Sequence, residues 1–137
     1  MDAEEKYQEK LRVFEMSCLR KIKEGTRRDI FRNTEIRREL KVETDVIQRI
    51  QRRRLRYFGH VMRMSGERLP AIAFSGNVHG SRKRGRPKKR WEDNLKADLD
   101  EMGHTMVEAI RLASSDRDVW RKSVLGLSER GSPSPRH

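Results

Sequence analysis

The chain has 137 residues, and its 33 Lys and Arg against 21 Asp and Glu leave a formal net charge of +12. Its length fits one domain, but 34% hydrophobic against 39% charged residues argues against a large compact core. We therefore expect a small, open helical structure whose partner is polyanionic, with nucleic acid ahead of an anionic membrane surface.

The same sequence disfavours membrane and metal functions. No apolar run approaches the roughly 20 residues that span a bilayer, and the acidic start at Asp2, Glu4 and Glu5 does not fit a signal peptide, so we expect a soluble intracellular protein. The single Cys18 excludes an internal disulfide and a Cys-rich zinc site. We expect no metal or cofactor, and interpret Cys18 as a buried or partly buried thiol.

The first predicted helix runs from about Glu4 to Lys23. Apolar side chains recur in it at steps of four and three, which places them on one face that we expect to be buried. These residues are Tyr7, Leu11, Phe14, Cys18 and Ile22. Gly25 predicts the end of this helix, and Asn33 is a good N-cap for a second, short helix through Leu40.

A third, longer helix is predicted from an N-cap at Thr44 to about Met64. Its apolar face comprises Ile47, Ile50, Leu55, Phe58 and Met62. Its other faces carry candidate nucleic-acid contacts, namely Arg49, Arg52, Arg53 and Arg56. These arginines are equally candidates for ion pairs with the acidic residues around Asp93 and Glu101. Gly59 indicates either close packing or a break in the helix.

Residues 65–90 are predicted to form a long connector, because Gly, Pro and Ser interrupt the helical period there. Within it, residues 71–74 favour a short strand or turn. The rest has the composition of a flexible cationic loop.

The densest charge lies in residues 80–90, which hold seven cations and no acid. Its candidate nucleic-acid contacts are Arg82, Lys83, Arg84, Gly85, Arg86, Pro87, Lys88, Lys89 and Arg90. Arg84–Pro87 has the form of an AT-hook core, in which an extended Arg-Gly-Arg enters a narrow A·T minor groove. General phosphate contact, a solvated connector and a nuclear localisation signal are the other interpretations.

The helical period returns at Trp91, Leu95, Leu99 and Met102. Gly103 occupies a C-capping position, and the acidic faces of this helix are expected to turn away from nucleic acid. Thr105 and Glu108 fit a capping box for a short helix. Ser115 or Asp116 then caps a last helix, whose apolar positions are Val119, Trp120, Val124 and Leu125.

The predicted fold class is therefore all-α, with two small helical clusters joined by a long basic loop and a disordered C-terminal tail. The predicted divisions are residues 1–64, 65–90, 91–126 and 127–137. Phe58 is expected in the core and Tyr57 is more open, while Trp91 and Trp120 either pack the second cluster or stack on an unpaired base. We interpret His60 as a structural histidine, since no partner supports catalysis or metal binding.

Several segments, in this order, resemble the C-terminal region that follows the polymerase in non-LTR (LINE-type) retrotransposon reverse transcriptases. They are Phe14–Arg20, Arg32–Arg37, Arg53–Met64, Arg84–Pro87 followed by Trp91, and Asp116–Arg121. The resemblance spans about Phe14 to Val124, and its order and spacing make it fairly specific.

The resemblance implies a nucleic-acid-binding region of an RNA-directed DNA polymerase, often joined to an endonuclease. No Tyr/Phe-x-Asp-Asp sequence is present to hold two magnesium ions, so we expect no catalysis by this chain alone. The implied partners are DNA or RNA and a polymerase domain, without a membrane or a small-molecule substrate, and the implied location is nuclear. The alternatives are a nuclear AT-hook chromatin protein and a helical protein-interaction module.

Overall fold

The computed structural model describes residues 2–24, 30–76, 84–85 and 89–130. Across these ranges the chain forms α-helices and no strand, which confirms the all-α prediction. The helices are α1 (Ala3–Ile22), α2 (Asn33–Glu39), α3 (Val46–Met62), α4 (Leu69–Ser75), α5 (Trp91–Met102), α6 (Met106–Ser115) and α7 (Arg117–Arg130). The chain divides into an N-terminal unit, Met1–Gln51, and a C-terminal unit, Arg52–His137, and the division falls inside α3.

The N-terminal unit has a small apolar core. Met16 and Leu19 of α1 and Ile36 of α2 are buried, and Leu40 and Val42 pack against them. Lys41 adopts a left-handed conformation with φ of 56°, and the Val42 N–H donates to the Arg37 carbonyl at 2.9 Å. This hydrogen bond ends α2 as in a Schellman motif, and it places the apolar side chain of Val42 against the core.

The predicted buried face of α1 is wrong. Tyr7, Leu11, Phe14 and Ile22 are exposed, with Phe14 at 68%, and the thiol of Cys18 is exposed rather than buried. The buried residues of α1 are instead Glu15, Met16 and Leu19. Apolar spacing identifies residues that share a helix face, but α2 packs on the neighbouring face.

Glu15 is a buried carboxylate that connects three parts of the N-terminal unit. Its Oε2 accepts from Arg37 at 2.8 Å and from the backbone N–H of Val46 at 3.1 Å, and its Oε1 accepts from Arg49. Burial alone would raise the pKa of Glu15, but the hydrogen bonds and positive charge of these donors outweigh it and lower the pKa below its ordinary value. Glu15 is therefore held as a carboxylate between α1, α2 and the start of α3.

The start of α3 depends on Asp45 rather than on the predicted cap Thr44. The Asp45 carboxylate accepts from the Gln48 backbone N–H at 2.9 Å, and the Gln48 side chain accepts from the Asp45 N–H at 3.3 Å. This reciprocal pair is a capping box. Arg12 of α1 also donates to Asp45 at 3.2 Å, which ties the cap to the first helix.

The C-terminal unit has a larger core to which α3, α5, α6 and α7 contribute. Its buried residues are Leu55, Phe58, Leu95, Leu99, Met102, Ala109, Ala113, Trp120 and Val124. Arg54 of α3 pairs with the buried Asp98 of α5 at 3.1 Å. The small side chains of Ala109 and Ala113 let α6 approach closely, whereas Val107 and Ile110 of the same helix are exposed.

The helix ends of the C-terminal unit follow their predicted caps. Gly103 has φ of 76° after α5, which suits a glycine. Thr105 and Glu108 form the predicted capping box of α6 through two hydrogen bonds of 3.3 Å. Of the two predicted caps for α7, Asp116 acts, since its carboxylate accepts from the N–H groups of Asp118 and Val119.

Two predictions between and after these helices need correction. Residues 71–74 are helical in α4 rather than a strand or turn, and Pro70 lies in the first turn of that helix, where proline is well tolerated. The predicted connector is thus not all loop. The helix α7 continues to Arg130, four residues beyond the predicted end. The rest of the predicted tail, residues 131–137, lies outside the described residues.

Candidate nucleic-acid interface

The C-terminal unit contains a cleft of about 530 Å³ whose two walls come from α3 and α7. Among the described residues, five arginines, one histidine and two aromatic side chains line it, and no acidic residue does. They are Arg53, Arg56, Tyr57, His60, Arg63, Arg117, Trp120 and Arg121. We call this surface the arginine cleft.

The period of α3 explains how one helix supplies both a core face and a cationic wall. Arg53, Tyr57 and His60 are spaced at steps of four and three, which places them on one exposed face. Leu55 and Phe58 point the other way and are fully buried. Burial of the apolar face therefore presents the arginines to the cleft.

Trp120 holds the two walls together. Its indole N–H donates to the backbone carbonyl of Leu55 at 2.9 Å, and the ring is 2% exposed. Gly59 makes this approach possible, because a Cβ there would lie 2.5 Å from Nε1 of Trp120. The glycine that the sequence marked as a close approach or a break is thus a close approach.

Arg63 is positioned by the end of a third helix. Its Nη1 donates to the carbonyl of Ala113 at 3.0 Å, in the last turn of α6. The last four carbonyls of a helix lack intrahelical donors and carry partial negative charge, so a guanidinium is well placed there. This contact fixes one cation at the margin of the cleft.

The side chains of the other cleft arginines are without a partner among the described residues. Over those ranges, no side-chain hydrogen bond or ion pair forms at Arg53, Arg56, Arg117 or Arg121. A second cleft of about 590 Å³ in the N-terminal unit provides a contrast. Its arginines are engaged: Arg12 with Asp45, Arg20 with Asn33, and Arg37 with Glu15. The arginine cleft therefore presents positive charge that no described acidic side chain neutralises.

The four arginines predicted on the third helix have different environments. Arg53 and Arg56 line the arginine cleft. Arg49 pairs with Glu15 in the N-terminal unit, and Arg52 is partly buried outside the lining of the cleft. Arg54, which the prediction did not name, forms an ion pair with Asp98 of the acidic helix α5.

The predicted basic segment is described only in part. Arg84, Gly85, Lys89 and Arg90 are exposed, and the Arg90 N–H donates to Asp93 at 2.8 Å at the start of α5. The remaining predicted contacts lie outside the described residues. They are Arg82, Lys83, Arg86, Pro87 and Lys88.

Three cleft residues were missed by sequence reasoning: Arg63, Arg117 and Arg121. Arg117 and Arg121 lie four residues apart, on one face of α7, which is a local signal for a cationic stripe. Their approach to α3 has no local signal, because it depends on Trp120 docking against Gly59.

Comparisons with known proteins do not identify the function of this site. No protein-family model, curated protein or solved structure matches this chain. Among the described residues, no group of three or more His, Cys, Asp or Glu could hold a metal ion. Over the same ranges, every helix is too short or too polar to cross a membrane.

Proposed function

We propose that this chain binds nucleic acid through the arginine cleft, as the C-terminal binding region of a non-LTR retrotransposon reverse transcriptase. In this role it holds a template or target strand and performs no catalysis of its own. The observation that carries the proposal is the convergence of Arg53, Arg56, Arg117 and Arg121 in one cleft, where no described residue pairs with their side chains.

Phosphate chemistry fits this arrangement. A guanidinium presents a planar fork of N–H donors that matches phosphate oxygens in two-point contacts. Like charges that converge from α3 and α7 repel one another, and a bound polyanion replaces that repulsion with attraction. Each phosphate neutralised by the cleft also releases condensed counterions, which adds to affinity at low salt.

The resemblance supports the same proposal. Two of the segments that carry it, Arg53–Met64 and Asp116–Arg121, contain all eight lining residues of the cleft. A third contains Arg84–Pro87 and precedes Trp91, the first residue of α5. We propose that this basic segment adds general phosphate contacts and acts in nuclear import.

The test is a charge-matched pair of double variants. Arg117→Gln with Arg121→Gln removes two cations from the cleft, and Arg111→Gln with Lys122→Gln removes two exposed cations outside it. We expect the first pair to weaken binding to oligonucleotides about tenfold and to reduce the slope of log affinity against log salt by about 2, from about 0.9 per phosphate contact. Fluorescence anisotropy at several salt concentrations measures both.

The control pair should change affinity less than about twofold, since the net charge is altered without loss of a cleft contact. Equal losses in both pairs would mean that binding follows net charge alone, and the cleft would then have no special role. Unchanged binding in the cleft pair would overturn the proposal.

A further inference from the structure

Two aromatic side chains form an exposed ring pair beside the arginine cleft. Tyr57 lines the cleft and is 49% exposed, and Trp91, at the start of α5, is 38% exposed. Their ring centroids are 5.9 Å apart, with an angle of 71° between the planes. We call this pair the aromatic platform.

The platform is held by a continuous series of ring contacts that leads into the core. Trp91 contacts Phe74 at 6.1 Å, Phe74 contacts Phe58 at 5.9 Å, and Phe58 contacts Trp120 at 5.7 Å. Phe58 and Trp120 are buried, so the series begins at fixed rings. A rigid platform loses little conformational entropy when a ligand binds to it.

Side chains with N–H donors flank the platform. Arg53 lies one helical turn before Tyr57, and His60 lies one turn after it with its ring 6.3 Å from that of Tyr57. On the other side, the exposed Arg90 directly precedes Trp91. Phosphates held by these groups would place the sugar and base of the same strand against the rings.

We propose that the aromatic platform stacks an unpaired base of a single-stranded nucleic acid whose phosphates lie in the arginine cleft. This inference rests on the proposed function and names its substrate class. Every base has a π face that an aromatic side chain can cover, whereas a duplex conceals these faces between its base pairs. The site therefore favours single strands over duplexes and accepts any base sequence.

The most direct test uses the unaltered chain and two single-stranded oligonucleotides of about 12 nucleotides, a length that a single-strand site covers. One carries bases, and the other has the same phosphates with abasic sugars. If the platform stacks bases, the abasic strand binds about tenfold more weakly at equal salt. Equal affinity for the two strands would overturn the inference while leaving the phosphate-binding proposal intact.

Variants that lack one ring test whether the difference in affinity between the base-containing and abasic strands comes from the platform. Tyr57→Leu and Trp91→Leu should each bring affinity for the base-containing strand toward that for the abasic strand, with less than about a twofold change for the abasic strand and for a duplex. Tyr7→Leu removes an exposed ring of α1, outside the cleft and the platform, and should bind like the unaltered chain. Ring removal that leaves the abasic difference intact would place base stacking elsewhere and overturn the inference.

The fluorescence of Trp91 provides a second test if a leucine variant folds poorly. Trp91 is partly exposed and Trp120 is buried, so base stacking should quench the emission of Trp91 selectively. The variant Trp91→Phe leaves Trp120 as the reporter and should lose most of the quenching. Unchanged quenching in this variant would contradict the platform.

Parallel RNA and DNA strands distinguish the two sources of an unpaired base. Similar abasic losses for both would assign recognition to the base face. A preference for RNA over DNA that is equal in the base-containing and abasic strands, without an abasic loss, would implicate the 2′-hydroxyl, and the base-face assignment would then fail. The Arg117→Gln, Arg121→Gln variant should weaken the base-containing and abasic strands by the same factor, and its failure to weaken either would overturn both proposals.

Discussion

The two units of this chain are stabilised by different interactions. The N-terminal unit joins its helices through one buried carboxylate, Glu15, and leaves the apolar stripe of α1 exposed. The C-terminal unit buries Phe58 and Trp120 in an apolar core and pairs Arg54 with the buried Asp98. The difference teaches that arginines can be paired with carboxylates in one unit and can line a cleft without a described acidic neighbour in the other.

The comparison depends on which groups neutralise the arginines. In the N-terminal unit the carboxylates of Glu15 and Asp45 are directed at Arg37, Arg49 and Arg12. In the C-terminal unit, packing of Trp120 on Gly59 brings arginines together in a cleft that no described acidic residue lines. Substitutions that disrupt the Glu15 ion pairs and the packing of Trp120 on Gly59 separately test this difference between the two units.

The largest expected effect is at Gly59. Gly59→Ala introduces a Cβ that would overlap the indole of Trp120, whose movement the hydrogen bond to Leu55 opposes. We expect a loss of about 3 kcal/mol in the free energy of unfolding of the C-terminal unit, the upper range for overpacking. Chemical denaturation followed by tryptophan fluorescence measures this loss.

The matched control is Gly126→Ala. Gly126 is also a helical glycine, in α7, and a Cβ there would meet nothing within 4 Å. Because alanine is the better helix former, we expect stabilisation by about 0.5–1 kcal/mol. A similar loss at both positions would show that helical glycine itself, and not the contact with Trp120, is what the C-terminal unit needs.

A smaller effect is expected from Glu15→Gln in the N-terminal unit. The amide has the shape of the carboxylate but lacks its charge, so the hydrogen bonds from Arg37 and Arg49 lose their charge-assisted strength. We expect destabilisation by about 1.5–3 kcal/mol. Hydrogen exchange of amides in α1 and α2 reports this unit directly. Glu43→Gln, at an exposed glutamate, should have little effect.

The stabilisation by Glu15 should depend on pH. The folded state lowers the pKa of Glu15, so its contribution is full above the ordinary glutamate value of about 4.3 and is lost as the pH falls through the lower, folded pKa. The unaltered chain should therefore lose protection in α1 in this acidic range. Glu15→Gln should lack that component, and an identical pH profile for the two proteins would exclude Glu15 as its source.

The smallest effect is expected at Phe14. Its ring is mostly exposed, and serine has a similar helix propensity, so Phe14→Ser should change the free energy of unfolding by less than about 0.5 kcal/mol. Leu19→Ala in the same helix should cost about 2 kcal/mol or more, because Leu19 is buried. A large loss at Phe14 would mean that the stripe of α1 is packed in the folded protein.

Local chemistry made much of the helical structure predictable. The capping box of Thr105 and Glu108 and the left-handed Gly103 follow from side chains within one turn of the helix end. The buried positions Leu95, Leu99 and Met102 also follow from their spacing. Even the cap at Asp45 had a local signal, since Gln48 lies three residues later, in the position of a capping box.

The remaining features depend on contacts between distant residues. The face of α1 that is buried depends on where α2 packs. The spacing of apolar residues within α1 does not predict that position. Glu15 meets a donor 31 residues away in sequence, at Val46. The arginine cleft likewise forms from two helices that are separate in sequence, so only its α3 wall was predicted.

The hydrogen bond from Trp120 to Leu55 spans 65 residues of sequence, and this separation affects when the site forms. Contacts of large sequence separation close large loops and form late relative to local helices. During synthesis, the arginines of α3 leave the ribosome well before Arg117–Arg121 of α7. A nascent chain therefore carries cationic helices first and acquires the cleft only when its last helix has emerged.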